Sequence, residues 1–202
     1  MDIIGFALAV LVIELTPGPN MAWLAGLAAT HGRRAGLAAV VGVAVGLLIN
    51  GMVAALGLTA LLKAAPWLWH GLQWTGAAMM TFLAIEAWRG AEQKRPAAFE
   101  RRTLRRYFFT GAFINLLNPK AYLFFFAVAP GFLHGETLTL GNAVLLAVVS
   151  ATIATIIHLA IVGAGARAQS WLADARRKRM AQRAFALVML GVAASFVISD
   201  LF

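Results

Sequence analysis

Six long apolar segments, separated by polar or charged stretches, make up almost the whole chain. They cover about residues 3–30, 36–62, 66–88, 107–132, 138–166 and 184–202. A helix needs about 20 predominantly apolar residues to cross the hydrocarbon core of a bilayer, and the segments approach or exceed that length. The pattern therefore predicts an all-α integral membrane protein with six transmembrane helices.

Two of these segments are interrupted by the same kind of break. The residues at the first break are Thr16, Pro17, Gly18, Pro19 and Asn20, and those at the second are Asn118, Pro119 and Lys120. Proline removes a backbone donor and clashes with the preceding turn. In hydrocarbon, backbone groups freed in this way need partners in protein, ions, water or substrate. We therefore expect the first and fourth helices to be broken at membrane depth.

The breaks fall in the opening segment of each half of the chain. A basic stretch, 90–106, separates residues 1–89 from residues 107–202, and each half holds three apolar segments. Because three is an odd number, the second half enters the membrane upside down relative to the first. Interrupted segments at corresponding positions of two inverted halves are typical of a transporter's binding site. We expect one transmembrane domain, 1–202, built as a 3+3 inverted repeat with 90–106 as its cytoplasmic linker.

The charges fix an orientation for this arrangement. Only 12% of the residues are charged, against about 25% in soluble domains. Of the 17 basic residues, 15 follow the first, third or fifth segment, whereas Lys63 lies in an opposite loop and Lys120 within the fourth segment. The positive-inside rule then places those three loops in the cytoplasm and both termini in the periplasm. Contact with anionic lipid accounts for the excess positive charge, so we expect no nucleic-acid partner.

Three parts of the chain resemble the LysE/RhtB family of amino-acid exporters: residues 15–20, residues 32–36 leading into a glycine-rich second segment, and residues 111–121. The pairing of Pro-Gly-Pro with Asn-Pro-Lys is specific, and the length and order of the segments fit over essentially the whole chain. The resemblance implies efflux of amino acids or their derivatives across the bacterial inner membrane, driven by the proton motive force. The implied partners are a small amino-acid substrate and protons. Assembly into a homo-oligomer is one alternative that the sequence leaves open.

Two ionisable residues lie deep in apolar segments. Lys120 lies about 13 residues into the fourth segment, and Glu14 about 12 residues into the first. A charge at the bilayer centre costs at least about 2.5–3.5 kcal/mol. Lys120 could receive a substrate carboxylate or a moving counter-charge, or it could form a static ion pair or reach water at the kink. Glu14 could carry a proton or bind a substrate ammonium, or it could pair structurally with Lys120.

Uncharged polar residues near the breaks have two interpretations. Asn20, Asn118 and Thr16 could bind substrate or satisfy unwound backbone, and local helix capping is the simpler alternative. Asn115 is a further candidate for the site. Asn115, Asn50 and His158 are polar residues within apolar segments, however, and such residues more often form interhelical hydrogen bonds than bind a ligand.

Other classes of function have weaker support. The chain has no cysteine, and the HExxH, nucleophile-elbow and P-loop signatures of enzymes are missing from the sequence. We therefore expect a protein that is not an enzyme and that holds no metal or cofactor. An exporter of metal ions or other small solutes on a related fold, and a membrane assembly or regulatory subunit without transport of its own, remain as alternatives. The identity of the substrate is left open.

Overall fold

All secondary structure in the described part of the chain is helical. The computed structural model describes residues 1–16, 18–55, 66–90, 101–125, 129–133, 139–171 and 174–198. The helices are α1 (Ile3–Leu15), α2 (Pro19–His31), α3 (Arg33–Ala55), α4 (Pro66–Gly90), α5 (Arg101–Leu116), α6 (Pro119–Leu123), α7 (Leu140–Trp171) and α8 (Ala175–Ile198), with a 3₁₀ helix at Ala129–Phe132.

Both predicted breaks coincide with helix ends. α1 ends at Leu15 and α2 begins at Pro19, and the two axes are bent by 56°. α5 ends at Leu116 and α6 begins at Pro119. Each second helix therefore starts with a proline, which has no N–H to leave unpaired in a first turn. Pro17 itself lies outside the described residues.

Two helices begin earlier than the apolar pattern indicates. α5 starts at Arg101 rather than near 107, and α8 starts at Ala175 rather than near 184. Arginine and lysine are good helix formers, so the helices continue through their basic ends. At the start of α8, Asp174 Oδ1 accepts the N–H groups of Arg177 at 2.9 Å and Arg176 at 3.0 Å. These bonds, that of Arg177 foremost, lower the pKa of Asp174 because they favour the charged carboxylate.

Two helices are by themselves long and apolar enough to cross a membrane, over Arg33–Val53 in α3 and Leu140–Ala168 in α7. α1 and α2 taken together would add a third, bent span. Within the described ranges, the other predicted spans do not meet this test of length and composition. α5 and α8 begin in basic stretches, and the predicted spans over 107–132 and 184–202 run partly outside the described residues. The predicted span over 36–62 also extends beyond them, after the part that meets the test.

The core is built around two long central helices. α3 packs along α5 and α7, α7 also contacts α1 and α2, and α4 packs along α8, which in turn contacts α2. One buried cluster, which includes Trp23, Leu24, Met80 and Met189, joins α2, α4 and α8. A second cluster forms where α1, α6 and α7 meet, and its members include Phe6, Val10, Phe124, Phe125 and Leu146. The breaks lie beside this second cluster.

Candidate functional site

The two breaks meet through the side chain of Lys120. Its ammonium donates hydrogen bonds to the carbonyl oxygens of Ile13, at 2.5 Å, and Thr16, at 2.8 Å. The last carbonyls of any helix have no partner within the helix, and the C-terminal end of the helix carries partial negative charge. Lys120, in the first turn of α6, therefore satisfies and neutralises the end of α1.

Gly18 and Thr16 lie close to this ammonium. A Cβ atom added to Gly18 would lie 3.6 Å from Lys120 Nζ, so a side chain there would contact the ammonium. The hydroxyl of Thr16 donates to the Val12 carbonyl oxygen at 3.0 Å, one turn back in α1. It is thus the main-chain carbonyl of Thr16, and not its hydroxyl, that faces Lys120.

Asn118 has the local role that was the simpler of its two interpretations. Its Oδ1 accepts the backbone N–H of Lys120 at 3.1 Å and caps α6. The cap fixes the start of the helix that carries Lys120. The side chain of Asn118 is buried and also lines the cavity described below.

Asn20, Asn115 and Asn50 form a buried chain of amides across three helices. Asn20 Nδ2 donates to Asn115 Oδ1 at 2.8 Å, and Asn50 Nδ2 donates to the backbone oxygen of Asn115 at 3.2 Å. Asn115 is fully buried. Asn20 therefore links α2 to α5 instead of capping its own helix, and the predicted interhelical hydrogen bonds of Asn50 and Asn115 are confirmed.

A cavity of about 30 Å³ lies between the breaks. That space holds about two water molecules and is too small for an amino acid. Polar groups from both halves of the chain line it: Glu14, Asn20, Asn115, Asn118, Lys120, Ser150 and His158. Val10, Leu47, Phe124 and Phe125 form much of its apolar wall.

Glu14 faces His158 rather than forming an ion pair with Lys120. Glu14 Oε2 lies 3.6 Å from His158 Nε2, whereas the hydrogen bonds from Lys120 Nζ go to the backbone of α1. No Glu14–Lys120 contact within 4.0 Å occurs among the ion pairs of the described residues. The hydrogen-bond partners of Lys120 are thus carbonyl oxygens and not the carboxylate of Glu14, so the ion pair considered from the sequence is not formed in this structure.

Several buried polar atoms at the cavity have no hydrogen-bond partner. They are Asn20 Oδ1, Asn115 Nδ2, Ser150 Oγ and His158 Nε2. Leaving a buried donor or acceptor unpaired costs about 1–3 kcal/mol. Unpaired atoms of both kinds around one small space are suited to a polar guest or to water.

Residues on α7 were not singled out as site candidates by the sequence. His158 and Ser150 lie about two turns apart on α7, and both line the cavity. The available signal was a lone histidine in an otherwise uncharged apolar segment. In the described ranges, no group of three or more His, Cys, Asp or Glu residues could hold a metal ion.

Comparison with known proteins identifies relatives along most of the chain. A Pseudomonas aeruginosa membrane protein described as uncharacterized is 33% identical over 203 aligned positions, which cover 95% of this chain and 89% of the relative. The homoserine/homoserine lactone efflux protein of Salmonella typhimurium is 25% identical, covering 91% and 89%. The threonine efflux protein of Escherichia coli is 26% identical over 60% and 62%. No solved structure matches the chain.

The profile of the family described as LysE type translocator matches residues 11–200, which include both breaks and every polar group of the cavity. The relatives that match along most of the chain are membrane and efflux proteins. The chain is therefore a multi-pass membrane protein that belongs to the LysE family of translocators.

Proposed function

We propose that the protein is a secondary exporter of a small amino acid or amino-acid derivative across the bacterial inner membrane, coupled to the proton motive force. The observation that carries the proposal is the meeting of the two breaks. An ammonium, a carboxylate and several buried amides surround one small cavity there. A zwitterionic amino acid presents one group of each charge, and this set of side chains can bind both.

The roles of the charged residues follow from their present partners. Lys120 holds two carbonyl oxygens at the end of α1. A substrate carboxylate would be a stronger acceptor than a carbonyl, because charge-assisted hydrogen bonds are shorter and stronger. Its arrival would release the end of α1, while Glu14 would accept the substrate ammonium. Pro17, Pro19 and Pro119 would keep the backbone near Gly18 and Asn118 out of regular helix and available to substrate.

The named relatives narrow the candidate substrates. Two of them are named for the efflux of homoserine and homoserine lactone and of threonine, which are small molecules with a hydroxyl or ester oxygen close to the amino group. Asn20, Asn115 and Ser150 supply the unpaired donor and acceptor atoms that could recognise such a group. We therefore propose a small hydroxylated amino acid with a free carboxylate, such as threonine or homoserine, as the first substrate to test.

The architecture that we propose is a 3+3 inverted repeat made of residues 1–89 and 107–202, joined by the linker 90–106. In such a repeat, α3 corresponds to α7, α4 to α8, and the pair α1–α2 to the pair α5–α6. The packing of α3 on α5 then corresponds to the packing of α7 on α1 and α2. The α3–α7 and α4–α8 contacts each join two corresponding helices, so the symmetry of the repeat leaves these contacts unchanged. The helix contacts of the described residues support this correspondence.

Alternating access would follow from this symmetry. The cavity is too small for substrate, so one half must move relative to the other before an amino acid can enter. Moving one elementary charge across 100 mV supplies about 2.3 kcal/mol, enough for roughly fifty-fold accumulation outside. We propose that proton entry resets the cycle.

The same proposal places the basic ends of α5 and α8 in the cytoplasm and both termini in the periplasm. Residues 174–180 are all exposed, and four of them are basic: Arg176, Arg177, Lys178 and Arg179. Such a cluster next to a membrane attracts anionic headgroups by about 1 kcal/mol per basic residue near the surface.

The test is efflux from membrane vesicles loaded with radiolabelled threonine or homoserine. Vesicles containing the protein should lose label faster than empty-vector vesicles, and a growth screen against toxic levels of each amino acid would then widen the search. If the protein protects cells only against metal ions or unrelated solutes, it is an exporter of another class. If it protects cells against no solute and transports none, the interpretation as a non-transporting subunit replaces this proposal.

A further inference from the structure

The Glu14–His158 pair has a position that helix packing alone does not explain. His158 is 1% exposed and the Glu14 side chain 18% exposed. Their facing atoms, Nε2 and Oε2, are 3.6 Å apart, slightly beyond hydrogen-bond length, and Nε2 has no hydrogen-bond partner. A buried imidazole nitrogen without a partner, which faces a carboxylate at a cavity large enough for water, is placed to exchange a proton.

Among the described residues that line the cavity, Lys120 supplies the one charge besides the pair itself. Glu14 comes from α1, His158 from α7 and Lys120 from α6, while α3 presents the apolar Leu47 and α5 the amide of Asn115. Interactions between charges are strong where water is scarce. A proton added to the Glu14–His158 pair therefore changes the charge that Lys120 and any bound substrate experience.

We infer that Glu14 and His158 together form the proton-binding site of the transporter, with one exchangeable proton shared between the carboxylate and the imidazole. This inference rests on the proposed function and specifies where its coupling ion binds. His158 is the member that sequence reasoning assigned to an ordinary interhelical hydrogen bond.

In the exchange step, a proton and the substrate ammonium compete for the carboxylate of Glu14. A proton arriving from the periplasm bonds to Glu14 Oε2 or His158 Nε2, and the carboxylate then no longer attracts the substrate ammonium, which leaves. In the opposite state, a substrate ammonium approaches the carboxylate from the cytoplasm, and the pair releases its proton to the water of the cavity on that side. One proton enters for each substrate that departs, and no other reactant is needed.

The first experiment needs no substrate. Infrared difference spectra of the protein in lipid nanodiscs are recorded during a pH titration. The carboxylic C=O band assigned to Glu14 by its loss in Glu14→Gln should appear with the same midpoint as the imidazole ring band assigned to His158 by its loss in His158→Gln, since interacting groups titrate as a pair. In His158→Gln, the midpoint of the Glu14 band should shift by about one pH unit or more.

The control is His70→Gln, which changes an exposed histidine on α4 and should leave the midpoint of the Glu14 band where it is in the wild type. Different midpoints for the two bands in the wild type would overturn the shared-proton site. So would an unchanged Glu14 midpoint in His158→Gln. The midpoints are compared in the wild type, and loss of the band in His158→Asn provides the assignment if His158→Gln does not fold.

The second experiment separates coupling from transport. In proteoliposomes, His158→Gln should still exchange labelled for unlabelled threonine or homoserine at equal pH, but a pH gradient should no longer stimulate its net transport. Stimulation equal to that of His70→Gln would overturn the inference. If the wild type exchanges neither probe, the proposed function fails for these substrates, while the infrared titration still decides whether the pair shares a proton.

Discussion

Lys120 Nζ and the carbonyl oxygen of Thr16 are joined by a hydrogen bond of 2.8 Å, although the two residues are 104 positions apart. The bond links the interrupted helix of the first half to the interrupted helix of the second. Thr16 is the last residue before the gap in α1–α2, and Lys120 lies in the first turn of α6. The two breaks are therefore parts of one structure.

Replacement of Lys120 should abolish transport without rescue by a second change at Glu14. Lys120→Met removes the ammonium that binds the Ile13 and Thr16 carbonyls, and hydrogen bonds to charged groups contribute about 1.5–3 kcal/mol each. A static Glu14–Lys120 ion pair would allow Glu14→Gln to restore activity in the double variant. Because Lys120 bonds to backbone oxygens, we expect both the single and the double variant to be inactive in vesicle efflux.

A suitable control for this series is Lys178→Met, which removes an exposed lysine in the first turn of α8. It should keep efflux near the wild-type rate. Full activity of Lys120→Met would mean that Lys120 neither binds substrate nor takes part in coupling. Recovery of activity in the double variant would instead support the ion-pair interpretation.

The amide pair Asn20–Asn115 should be energetically coupled. Asn20→Ala and Asn115→Ala each remove one partner of the 2.8 Å bond, and each should destabilise the protein by about 1–3 kcal/mol because a buried polar group loses its partner. The double variant should be less destabilised than the sum, with a coupling of about 1 kcal/mol. Chemical unfolding in detergent micelles measures all three.

Asn50→Ala, combined with Asn20→Ala, provides the comparison for that cycle. Asn50 bonds to the backbone oxygen of Asn115 and not to its side chain, so the effects of these two changes should be closer to additive. Additivity of Asn20→Ala with Asn115→Ala would show that the hydrogen bond between the two side-chain amides is not formed in solution.

The positions of the breaks could be predicted because proline acts locally. Pro19 and Pro119 begin new helices wherever the chain runs afterwards, and their effect needs no knowledge of neighbours. Asn118 is a similar case, since its cap joins residues two positions apart. The apolar pattern likewise predicted helices throughout, because burial in a membrane requires backbone groups to be satisfied within each segment.

The partners across the breaks could not be predicted because they depend on packing. Nothing in the spacing of Glu14 and His158 indicates that α7 places a histidine 3.6 Å from that carboxylate. The same depth for Glu14 and Lys120 suggested an ion pair, but depth does not determine the direction in which each side chain points. The orientation of α1 turns Glu14 towards α7 and its terminal carbonyls towards Lys120.

The start of α7 and the start of α8 should be accessible from opposite sides of the membrane. The chain has no native cysteine, so single cysteines can be introduced directly. Thr139→Cys, at the start of α7, should react with a membrane-impermeant maleimide in cells with a permeabilised outer membrane, because the positive-inside rule places that end outside. Arg179→Cys, in α8, should react only after the inner membrane is disrupted. Both positions are exposed, so access and not burial decides labelling, and the reverse pattern would contradict the proposed orientation.

The contact between α3 and α5 should not tolerate a methyl group at Gly42. A Cβ atom added there would lie 1.9 Å from the carbonyl oxygen of Phe108, a backbone atom that cannot rotate away. Gly42→Ala must therefore separate two packed helices, and overpacking of this kind costs about 1–3 kcal/mol. Thermal unfolding in detergent should show a clear loss of stability, accompanied by slower efflux, since α3 also carries Asn50 and Leu47 towards the site.

Gly163→Ala is the matched control, because it changes a glycine within α7, the helix that corresponds to α3 in the proposed repeat. No atom lies within 4 Å of a Cβ added at Gly163, apart from its own chain neighbours and helix backbone. Alanine favours helix by up to about 1 kcal/mol over glycine, so this variant should be as stable as the wild type or more stable. Equal stability of Gly42→Ala and Gly163→Ala would show that α3 and α5 are not in backbone contact. A loss confined to Gly42→Ala would instead locate the tight helix crossing at Phe108, on the helix that leads directly into the second break.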